Sequence, residues 1–220
     1  MNEALPKAYK DGIKDFYGRD FIVTPDVLIP RPETEQIIDT VLNLAGKSYL
    51  NGVKPAPRIL PKNPKVLDIG TGSGCIAITL KLEIPEADII ATDISKPAIK
   101  IAQKNALKHG INPNIFIISD LLKNVKFTPD IIVSNLPYVD EQWDWLDKPA
   151  LSYEPKISLF AKDEGLALIK RLIKQSSEKQ VKYLLLEADP CQHQKIIKFA
   201  NQNSYQLSEI RGFCILLELH

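Results

Sequence analysis

The tetrapeptide Asn135-Leu136-Pro137-Tyr138 directly follows the apolar segment Ile131–Ser134. The side-chain oxygen of Asn135 and the main-chain carbonyl of Leu136 could each accept one N–H from a substrate NH2 group, with Tyr138 against its planar face. An amide nitrogen is a poor nucleophile because its lone pair is delocalised. Acceptors would orient it and stabilise the positive charge that develops on it. We therefore predict that these four residues are catalytic, against the alternative of an ordinary Asn-x-Pro turn.

A second segment that could bind a ligand is a glycine-rich turn between an apolar run and a helical pattern. Its sequence is VLDIGTGSGCIA, from Val66 to Ala77. Glycine lets the backbone approach a ligand closely, and the start of the helix offers unpaired N–H groups. An acid at the end of the strand could hold a cationic group, such as the amino group of S-adenosylmethionine, directly or through water. The alternative is a tight turn without a ligand. The predicted cofactor contacts in this segment are Asp68, Gly70, Thr71, Gly72, Ser73 and Gly74.

Two later acids extend the predicted cofactor site. Asp93 ends the apolar run IIATD and could accept both ribose hydroxyls, and Asp120 with Leu121 could bind the amino edge and the face of adenine. Asn135 is assigned to the cofactor site as well as to catalysis. The GxGxxA pattern that begins at Gly72 also satisfies the looser dinucleotide fingerprint, and Asp93 meets its spacing, so a nicotinamide cofactor stays open here. Either acid could instead cap a helix.

The elements that must position these residues alternate between short β-branched runs and longer amphipathic segments, which is typical of a doubly wound α/β fold with a mainly parallel sheet. The last two strands are predicted to form an antiparallel hairpin at one edge. Predicted strands are Lys65–Ile69, Asp88–Thr92, Ile115–Ser119, Ile131–Ser134, Tyr183–Glu187, Tyr205–Glu209 and Cys214–Leu219. Predicted helices are Glu33–Leu44, Ile76–Leu82, Pro97–His109, Gly165–Ser177 and Gln192–Asn201.

Composition limits the number of domains and the classes of partner. The 220 residues are 45% hydrophobic, enough for one core. We expect a short N-terminal segment over 1–64, with a lead-in hairpin or helix and a Pro-, Gly- and Lys-rich linker over 47–64, before a catalytic domain over 65–220. A net charge of +1 disfavours nucleic acid as a partner. Three isolated cysteines and no apolar run of membrane length predict a reducing cytoplasm, no membrane and no metal.

The glycine turn, Asp93 and the tetrapeptide together resemble the class I methyltransferases that modify amide or amino nitrogens. The motif Arg31-Pro-Glu-Thr-Glu35, the triplet Tyr153-Glu-Pro155 and the run Leu184-Leu-Leu-Glu187 are similar to patterns of the bacterial release factor glutamine methyltransferases. The resemblance implies a seven-stranded, Rossmann-like sheet with S-adenosylmethionine as cofactor. It further implies a peptide chain release factor as partner, methylated on the glutamine of its Gly-Gly-Gln motif. The Arg31–Glu35 turn could cover the cofactor pocket.

Three departures from this family leave alternatives open. Leu136 replaces the usual first proline, which removes one constraint on the loop. The sequence Asn-Leu-Pro-Tyr also resembles the tetrapeptide of ribosomal-RNA adenine dimethyltransferases. Only about 18 residues precede the matching region, so we expect a short form without most of the N-terminal helical domain, acting as a monomer. The alternatives are an adenine methyltransferase, a non-catalytic S-adenosylmethionine-binding module and, from the dinucleotide fingerprint, a nicotinamide-dependent oxidoreductase.

Overall fold

The computed structural model describes residues 5–47, 57–147 and 151–220. Within these ranges the strands form a two-stranded hairpin and a seven-stranded sheet. The hairpin pairs β1 (Ile13–Phe16) with β2 (Arg19–Ile22). The larger sheet contains β3 (Lys65–Ile69), β4 (Asp88–Asp93), β5 (Phe116–Ile118), β6 (Ile131–Ser134), β7 (Tyr183–Glu187), β8 (Tyr205–Arg211) and β9 (Cys214–Leu219).

The order of the large sheet is β5-β4-β3-β6-β7-β9-β8. Strands β5, β4, β3, β6 and β7 are parallel, whereas β9 runs antiparallel to both β7 and β8. The chain runs outward from β3 to β5 and then returns to β6, so the strand order reverses between β3 and β6. Open α/β sheets bind ligands at such a point, beyond the carboxyl ends of the strands. The doubly wound, mainly parallel fold and its C-terminal edge hairpin are confirmed.

Helices cover both faces of the sheet, which explains why all residues of β6 and β7 are apolar or buried rather than alternating. Helix α4 is well defined by its ends: Ser95 accepts a hydrogen bond from the Ala98 N–H at 3.3 Å, and Pro97 occupies the first turn. The helices are α1 (Lys7–Asp11), α2 (Glu35–Leu44), α3 (Cys75–Glu83), α4 (Lys96–Lys108), α5 (Lys156–Leu159), α6 (Ala167–Glu178) and α7 (His193–Asn201).

Among the described residues, the apolar core has one large cluster on each face of the sheet and a third, smaller cluster that joins α1, the segment after β2 and α4. One cluster joins α2, α3 and α4, and it includes Phe16 and Phe21 of the N-terminal hairpin. Asn105 of α4 fastens that hairpin, because its Oδ1 accepts from the Ile22 N–H at 2.7 Å and its Nδ2 donates to the Ile22 carbonyl at 3.0 Å. The hairpin therefore packs on the same core as the sheet, and a domain boundary at residue 64 stays a prediction.

The helices and strands agree closely with the sequence-based boundaries. The clearest difference is β5, which is shorter than the predicted Ile115–Ser119 because Pro113–Ile115 form a 3-10 turn. The short helices α1 and α5 were not predicted, since neither is long enough to show a helical period. The lead-in element is a hairpin preceded by α1. Half of the predicted linker, 48–56, lies outside the described residues. No helix in the described ranges is long and apolar enough to cross a membrane.

Candidate active site

The glycine turn after β3 is held by main-chain hydrogen bonds to the next strand. The N–H groups of Gly70 and Thr71 both donate to the Thr92 carbonyl, at 2.8 and 3.0 Å. Gly74 has φ 82°, which favours glycine, and a Cβ there would lie 3.1 Å from side-chain atoms of Ala102 and Phe116, which would have to move slightly. Gly72 also has a positive φ of 54°, but a Cβ there would meet nothing within 4 Å. The turn is therefore closed on its inner side and open at Gly72.

Asp68 lies beneath this turn rather than on its surface. It is fully buried, its Oδ2 accepts from the Thr71 hydroxyl at 2.6 Å, and its Oδ1 has no hydrogen-bond partner among the described residues. Burial raises the pKa of Asp68 to about 7, and the hydrogen bond from Thr71 offsets part of this rise. A buried carboxylate with an unused oxygen is suited to a cationic group close to the turn.

Asp93 at the end of β4 closes the turn from the other side. Its Oδ2 accepts from the Gly72 N–H at 2.9 Å, and its Oδ1 accepts from the Ser95 N–H at 2.8 Å. Burial raises the pKa of this half-buried carboxyl group, and the main-chain N–H donors work against that rise. The cap of α4 is Ser95 and not Asp93. Asp93 therefore does not cap α4, and its carboxylate binds the glycine turn through the Gly72 N–H.

A cavity of about 230 Å³ opens at the carboxyl edge of the sheet, where the strand order reverses. It brings together the loop after β3, the ends of β4 and β5, and the loop after β6. Its charged lining residues are Asp26, Asp93, Asp120, Arg31 and Arg171, and both arginines are engaged in ion pairs. The charge that remains unpaired in the cavity is therefore negative, which suits a positively charged ligand.

Asn135 and Leu136 form the wall of the cavity beside the glycine turn. Asn135 Nδ2 donates to the Thr34 hydroxyl at 3.0 Å, so its NH2 end is engaged by the N-terminal segment. Leu136 is buried, and a Cβ added at Gly70 would lie 3.1 Å from its Cδ2 atom. Leu136 thus packs directly under the glycine turn. The loops after β3 and β6 are consequently in contact.

Tyr138 lies behind this wall. Its hydroxyl donates to Glu187 Oε1 at 3.2 Å, and its carbonyl accepts from Gln192 Nε2 at 2.7 Å. Burial and the nearby Glu187 carboxyl raise the pKa of Tyr138 far above its usual value. Gly165 also approaches the Tyr138 carbonyl so closely that a Cβ there would lie 1.9 Å from the oxygen. Tyr138 does not line the cavity, so its packing on a substrate stays a prediction.

Asp120 and Leu121 line the cavity beyond β5. Leu121 has a φ of 48°, unusual for a residue with a side chain, and Ser119 stabilises this turn by donating its hydroxyl proton to the Leu121 carbonyl at 2.8 Å. Asp120 Oδ2 pairs with the Arg171 guanidinium at 2.9 Å. Arg171 comes from α6 and was not identified from the sequence. It stands beside the acid proposed for adenine.

The N-terminal segment closes the cavity on its remaining side. Arg31 forms an ion pair with Glu154, and Glu154 Oε2 also accepts from the Ile29 N–H at 3.1 Å. This buried carboxylate joins two sequence motifs that are 123 positions apart. Pro30, Arg31 and Thr34 line the cavity, in agreement with a covering role for this segment.

The cavity brings together most of the predicted site residues but not all of them. Asp68, Gly74 and Tyr138 stand behind its walls. The lining residues that were predicted are Gly70, Thr71, Gly72, Ser73, Asp93, Asp120, Leu121, Asn135, Leu136 and Pro137. Lining residues that were not assigned are Asp26, Val27, Leu28, Pro30, Thr34, Ile69, Cys75, Ile76, Ile94, Ser95, Ala98, Ser119, Pro155, Ile157, Ser158, Leu168 and Arg171. Several of the second set, such as Ile69, Cys75 and Thr34, lie within motifs that the sequence did reveal, so the missing information was the direction of the side chain and not the segment.

Two aromatic residues after the tetrapeptide stand apart from the cavity. Trp143 and Trp145 stack with ring centroids 5.1 Å apart, and Trp145 is 66% exposed. Over the described ranges, no group of three or more His, Cys, Asp or Glu side chains is arranged to hold a metal ion. The three cysteines are free thiols.

Comparison with known proteins identifies the type of domain and its fold. Residues 55–147 match the methyltransferase small domain. The structure superposes on a ribosomal protein L11 methylase from Lactobacillus delbrueckii subsp. bulgaricus with a TM-score of 0.58 at 22% identity, covering 94% of this chain and 90% of that one. At this identity the superposition concerns the fold alone. The chain thus has a Rossmann-like α/β fold, and residues 55–147 resemble a methyltransferase domain.

Sequence relatives narrow the class. The chain is 44% identical over 173 residues to the release factor glutamine methyltransferase of Koribacter versatilis, covering 77% of this chain and 57% of the relative. It is 38% identical over 228 residues to a bifunctional methyltransferase of Rickettsia bellii, covering 93% of this chain and 40% of the relative. The chain therefore spans about half the length of these relatives. Over the matched part, it is similar to the release factor glutamine methyltransferases.

Proposed function

We propose that this protein transfers a methyl group from S-adenosylmethionine to the side-chain amide nitrogen of a protein glutamine. The observation that carries the proposal is the shared cavity at the reversal of strand order. Asn135, Leu136 and Pro137 line it beside Gly70–Ser73, and Asp93 lines it from the end of β4, on the other side of β3. A cofactor site and a set of acceptors for an NH2 group therefore face one space. This is the arrangement that methyl transfer to a planar nitrogen requires.

The cofactor would be held by the glycine turn and by three acids. Asp93 would accept the ribose hydroxyls, Asp120 and Leu121 would contact adenine, and Asp68 would compensate the amino group from beneath the turn. The negative charge of the cavity and the unused oxygen of Asp68 both fit a cofactor with a sulfonium and an ammonium group. When bound, S-adenosylmethionine supplies an electrophilic methyl group, which the nitrogen takes as the carbon–sulfur bond breaks and one N–H proton leaves to water.

Asn135 and Leu136 would orient the substrate nitrogen. The Asn135 oxygen is the free end of its amide, because the NH2 end donates to Thr34. Among the described residues, no hydrogen bond engages the Leu136 main-chain carbonyl. Two acceptors are thus available for the two N–H groups of a primary amide. As positive charge develops on the nitrogen, both hydrogen bonds strengthen, so the acceptors favour the transition state over the bound substrate.

The substrate class comes from the homologues. A glutamine of the Gly-Gly-Gln motif in a peptide chain release factor is the target we propose, because relatives such as that of Koribacter versatilis are named for release factor glutamine methylation. The name of the Rickettsia bellii relative states no substrate. The release factor is accordingly the protein partner, and the tetrapeptide is the part of this chain that contacts its glutamine.

A second candidate is methylation of an adenine amino group in ribosomal RNA, which Leu136 in place of the usual proline favours. The same two acceptors would serve an exocyclic amine. The net charge of +1 argues against it, because binding to a phosphate backbone depends on an excess of Lys and Arg. Nothing in the cavity lining adds such an excess, since its arginines are paired with acids.

The test is transfer of a labelled methyl group from S-adenosylmethionine to a purified release factor. The matched control is the same release factor with the glutamine of its Gly-Gly-Gln motif replaced by asparagine, and ribosomal RNA is a third substrate. We expect label on the intact release factor alone. Label that persists on the replaced substrate would contradict the glutamine assignment, and label on RNA alone would favour the second candidate.

A further inference from the structure

The amide of Asn135 has two ends of the same shape and opposite chemistry. One end accepts a hydrogen bond and the other donates two, so the neighbours of Asn135 decide which end faces the cavity. The proposed function, on which this inference rests, requires the oxygen to face the substrate. An Asn135 turned by half a rotation would present donors to donors. Some part of the chain must therefore select the orientation.

Thr34 is the direct partner of the NH2 end. Its hydroxyl accepts from Asn135 Nδ2 at 3.0 Å, across 101 positions of the sequence. Thr34 is 3% exposed and belongs to the 3-10 turn Pro32–Thr34 before α2. A hydroxyl both accepts and donates, however. Thr34 alone would tolerate either orientation of the Asn135 amide.

Glu187 determines in which direction the Thr34 hydroxyl proton points. It ends β7, is 1% exposed, and approaches Thr34, Asn135 and Tyr138 closely enough for all three to lower its pKa. Oε1 accepts from the Tyr138 hydroxyl, whereas Oε2 is buried without another partner among the described residues. A carboxylate only accepts hydrogen bonds, so it directs the Thr34 hydroxyl proton toward itself. The lone pairs of Thr34 then remain for Asn135, which must offer its NH2 end.

We infer that Thr34 and Glu187 are positioning residues, which together fix the Asn135 amide with its oxygen toward the substrate. Neither residue needs to touch the reacting atoms. Glu187 acts on the Asn135 NH2 end directly, as a neighbouring acceptor, and also through Thr34. Glu187 holds the Tyr138 hydroxyl as well. The buried acid of β7 and the threonine of the Arg31–Glu35 motif thereby acquire one common role at the site.

The charge state of Glu187 controls this arrangement. Its pKa is raised to about 7, mainly by burial and also by the nearby Glu33, while the neighbouring polar groups of Thr34, Tyr138 and Asn135 act in the opposite direction. Below that pKa the protonated acid becomes a donor as well, so the constraint on Thr34 is lost. Turnover should therefore rise with pH through about 7 as the carboxylate forms.

The first experiment compares Thr34→Val with Thr34→Ser in methyl transfer to a release factor. Valine keeps the shape of the threonine side chain but removes the hydroxyl, whereas serine keeps the hydroxyl. We expect Thr34→Val to lower kcat by about ten-fold to a hundred-fold, with the Kd for S-adenosylmethionine changed less than about three-fold. Thr34→Ser should recover most of the turnover, and Glu187→Gln should abolish the rise of kcat with pH near 7. Equal turnover of the two Thr34 variants would overturn the inference.

A second experiment does not depend on the substrate. The side-chain NH2 protons of Asn135 are followed by NMR and assigned by comparison with Asn135→Asp. We expect them to exchange slowly with water and to shift with pH near 7 in the wild-type protein and in Thr34→Ser, and to exchange rapidly in Thr34→Val. Identical exchange in the two variants would refute the positioning role. If the wild-type protein methylates no release factor, the proposed function fails, yet this measurement still decides the role of Thr34.

Discussion

The loop after β3 and the loop after β6 lie side by side at one edge of the sheet, but different contacts hold them. The β3 loop is fixed by main-chain N–H groups that reach Thr92 and Asp93, on the adjacent strand. The β6 loop is fixed by side chains from Thr34, Glu187 and Gln192, which lie 49 to 101 positions away from their partners in the sequence.

The two loops therefore depend on different parts of the molecule for their shape. The shape of the β3 loop depends on glycines, on one neighbouring strand and on Asn105 of α4, whose Nδ2 donates to the Ser73 carbonyl at 2.8 Å. These supports lie within 32 positions of the loop in the sequence, so the loop is specified more locally than the β6 loop. The β6 loop presents its acceptors correctly only when the N-terminal segment and the end of β7 are both in place. We therefore expect changes in the β3 loop to affect cofactor binding, and changes around the β6 loop to affect turnover.

The largest effect should come from Asn135→Ala, which removes one of the two acceptors of the β6 loop. We expect kcat to fall by about a hundred-fold to a thousand-fold, by analogy with the loss of one preorganised hydrogen bond at a reacting atom. The Kd for S-adenosylmethionine, measured by calorimetry, should change little. An equal loss of cofactor affinity and turnover would erase the distinction between the two loops.

Next in size is a matched pair of glycine substitutions. Gly165→Ala places a Cβ 1.9 Å from the Tyr138 carbonyl at a φ of 82°, whereas Gly72→Ala meets nothing within 4 Å at a φ of 54°. We expect urea unfolding to show a loss of about 3 kcal/mol or more for Gly165→Ala, and about 1 kcal/mol for Gly72→Ala. If both variants lost the same free energy of unfolding, the positive φ alone would account for the loss, and the close approach of Gly165 to the Tyr138 carbonyl would not contribute.

Asp93→Ala probes the β3 side of the cavity. Loss of the carboxylate removes the proposed acceptor of the ribose hydroxyls and the hydrogen bond to the Gly72 N–H. The Kd for S-adenosylmethionine should rise by about ten-fold to thirty-fold, or about 1.4 to 2 kcal/mol. At saturating cofactor, kcat should stay within about three-fold of the wild-type value. A fall in kcat as large as that of Asn135→Ala would contradict a binding role for Asp93.

The smallest effect concerns pH and Asp68. Its pKa is about 7 in the folded protein and near 4 for an unfolded aspartate, so the folded state holds the extra proton between these values. Stability is then greatest at low pH within this window and falls as pH rises toward about 7. We expect Asp68→Asn to reduce this fall by about 1 kcal/mol between about pH 6 and pH 7 in urea unfolding without cofactor. An unchanged slope would place the Asp68 pKa elsewhere.

The sequence was sufficient for the parts of the molecule that are specified locally. The five parallel strands and the β3 loop follow from apolar runs, glycine spacing and one acid at the end of β4. The same reasoning placed Asp68 at the cofactor, but its side chain is covered by Thr71 and lies behind the cavity wall. Strand position alone does not reveal which side of a turn a carboxylate occupies.

The contacts around the β6 loop were beyond local reasoning. Arg31 and Glu154 each belonged to a recognised motif, yet nothing in either motif shows that the two side chains pair. Thr34 belongs to the Arg31–Glu35 motif, yet nothing in that motif shows that its hydroxyl binds Asn135 and makes no cap hydrogen bond to α2. These contacts depend on how distant segments pack, which a single sequence does not encode as a spacing.

The central claim is that the two loops form one site for methylation of a glutamine amide. Mass spectrometry of peptides from a release factor, after incubation with S-adenosylmethionine and the protein, tests it most directly. We expect one methyl group on the side-chain nitrogen of the glutamine in the Gly-Gly-Gln motif, and none after incubation with Asn135→Ala. A methyl group on another residue, or an unmodified release factor with the wild-type protein, would contradict the account.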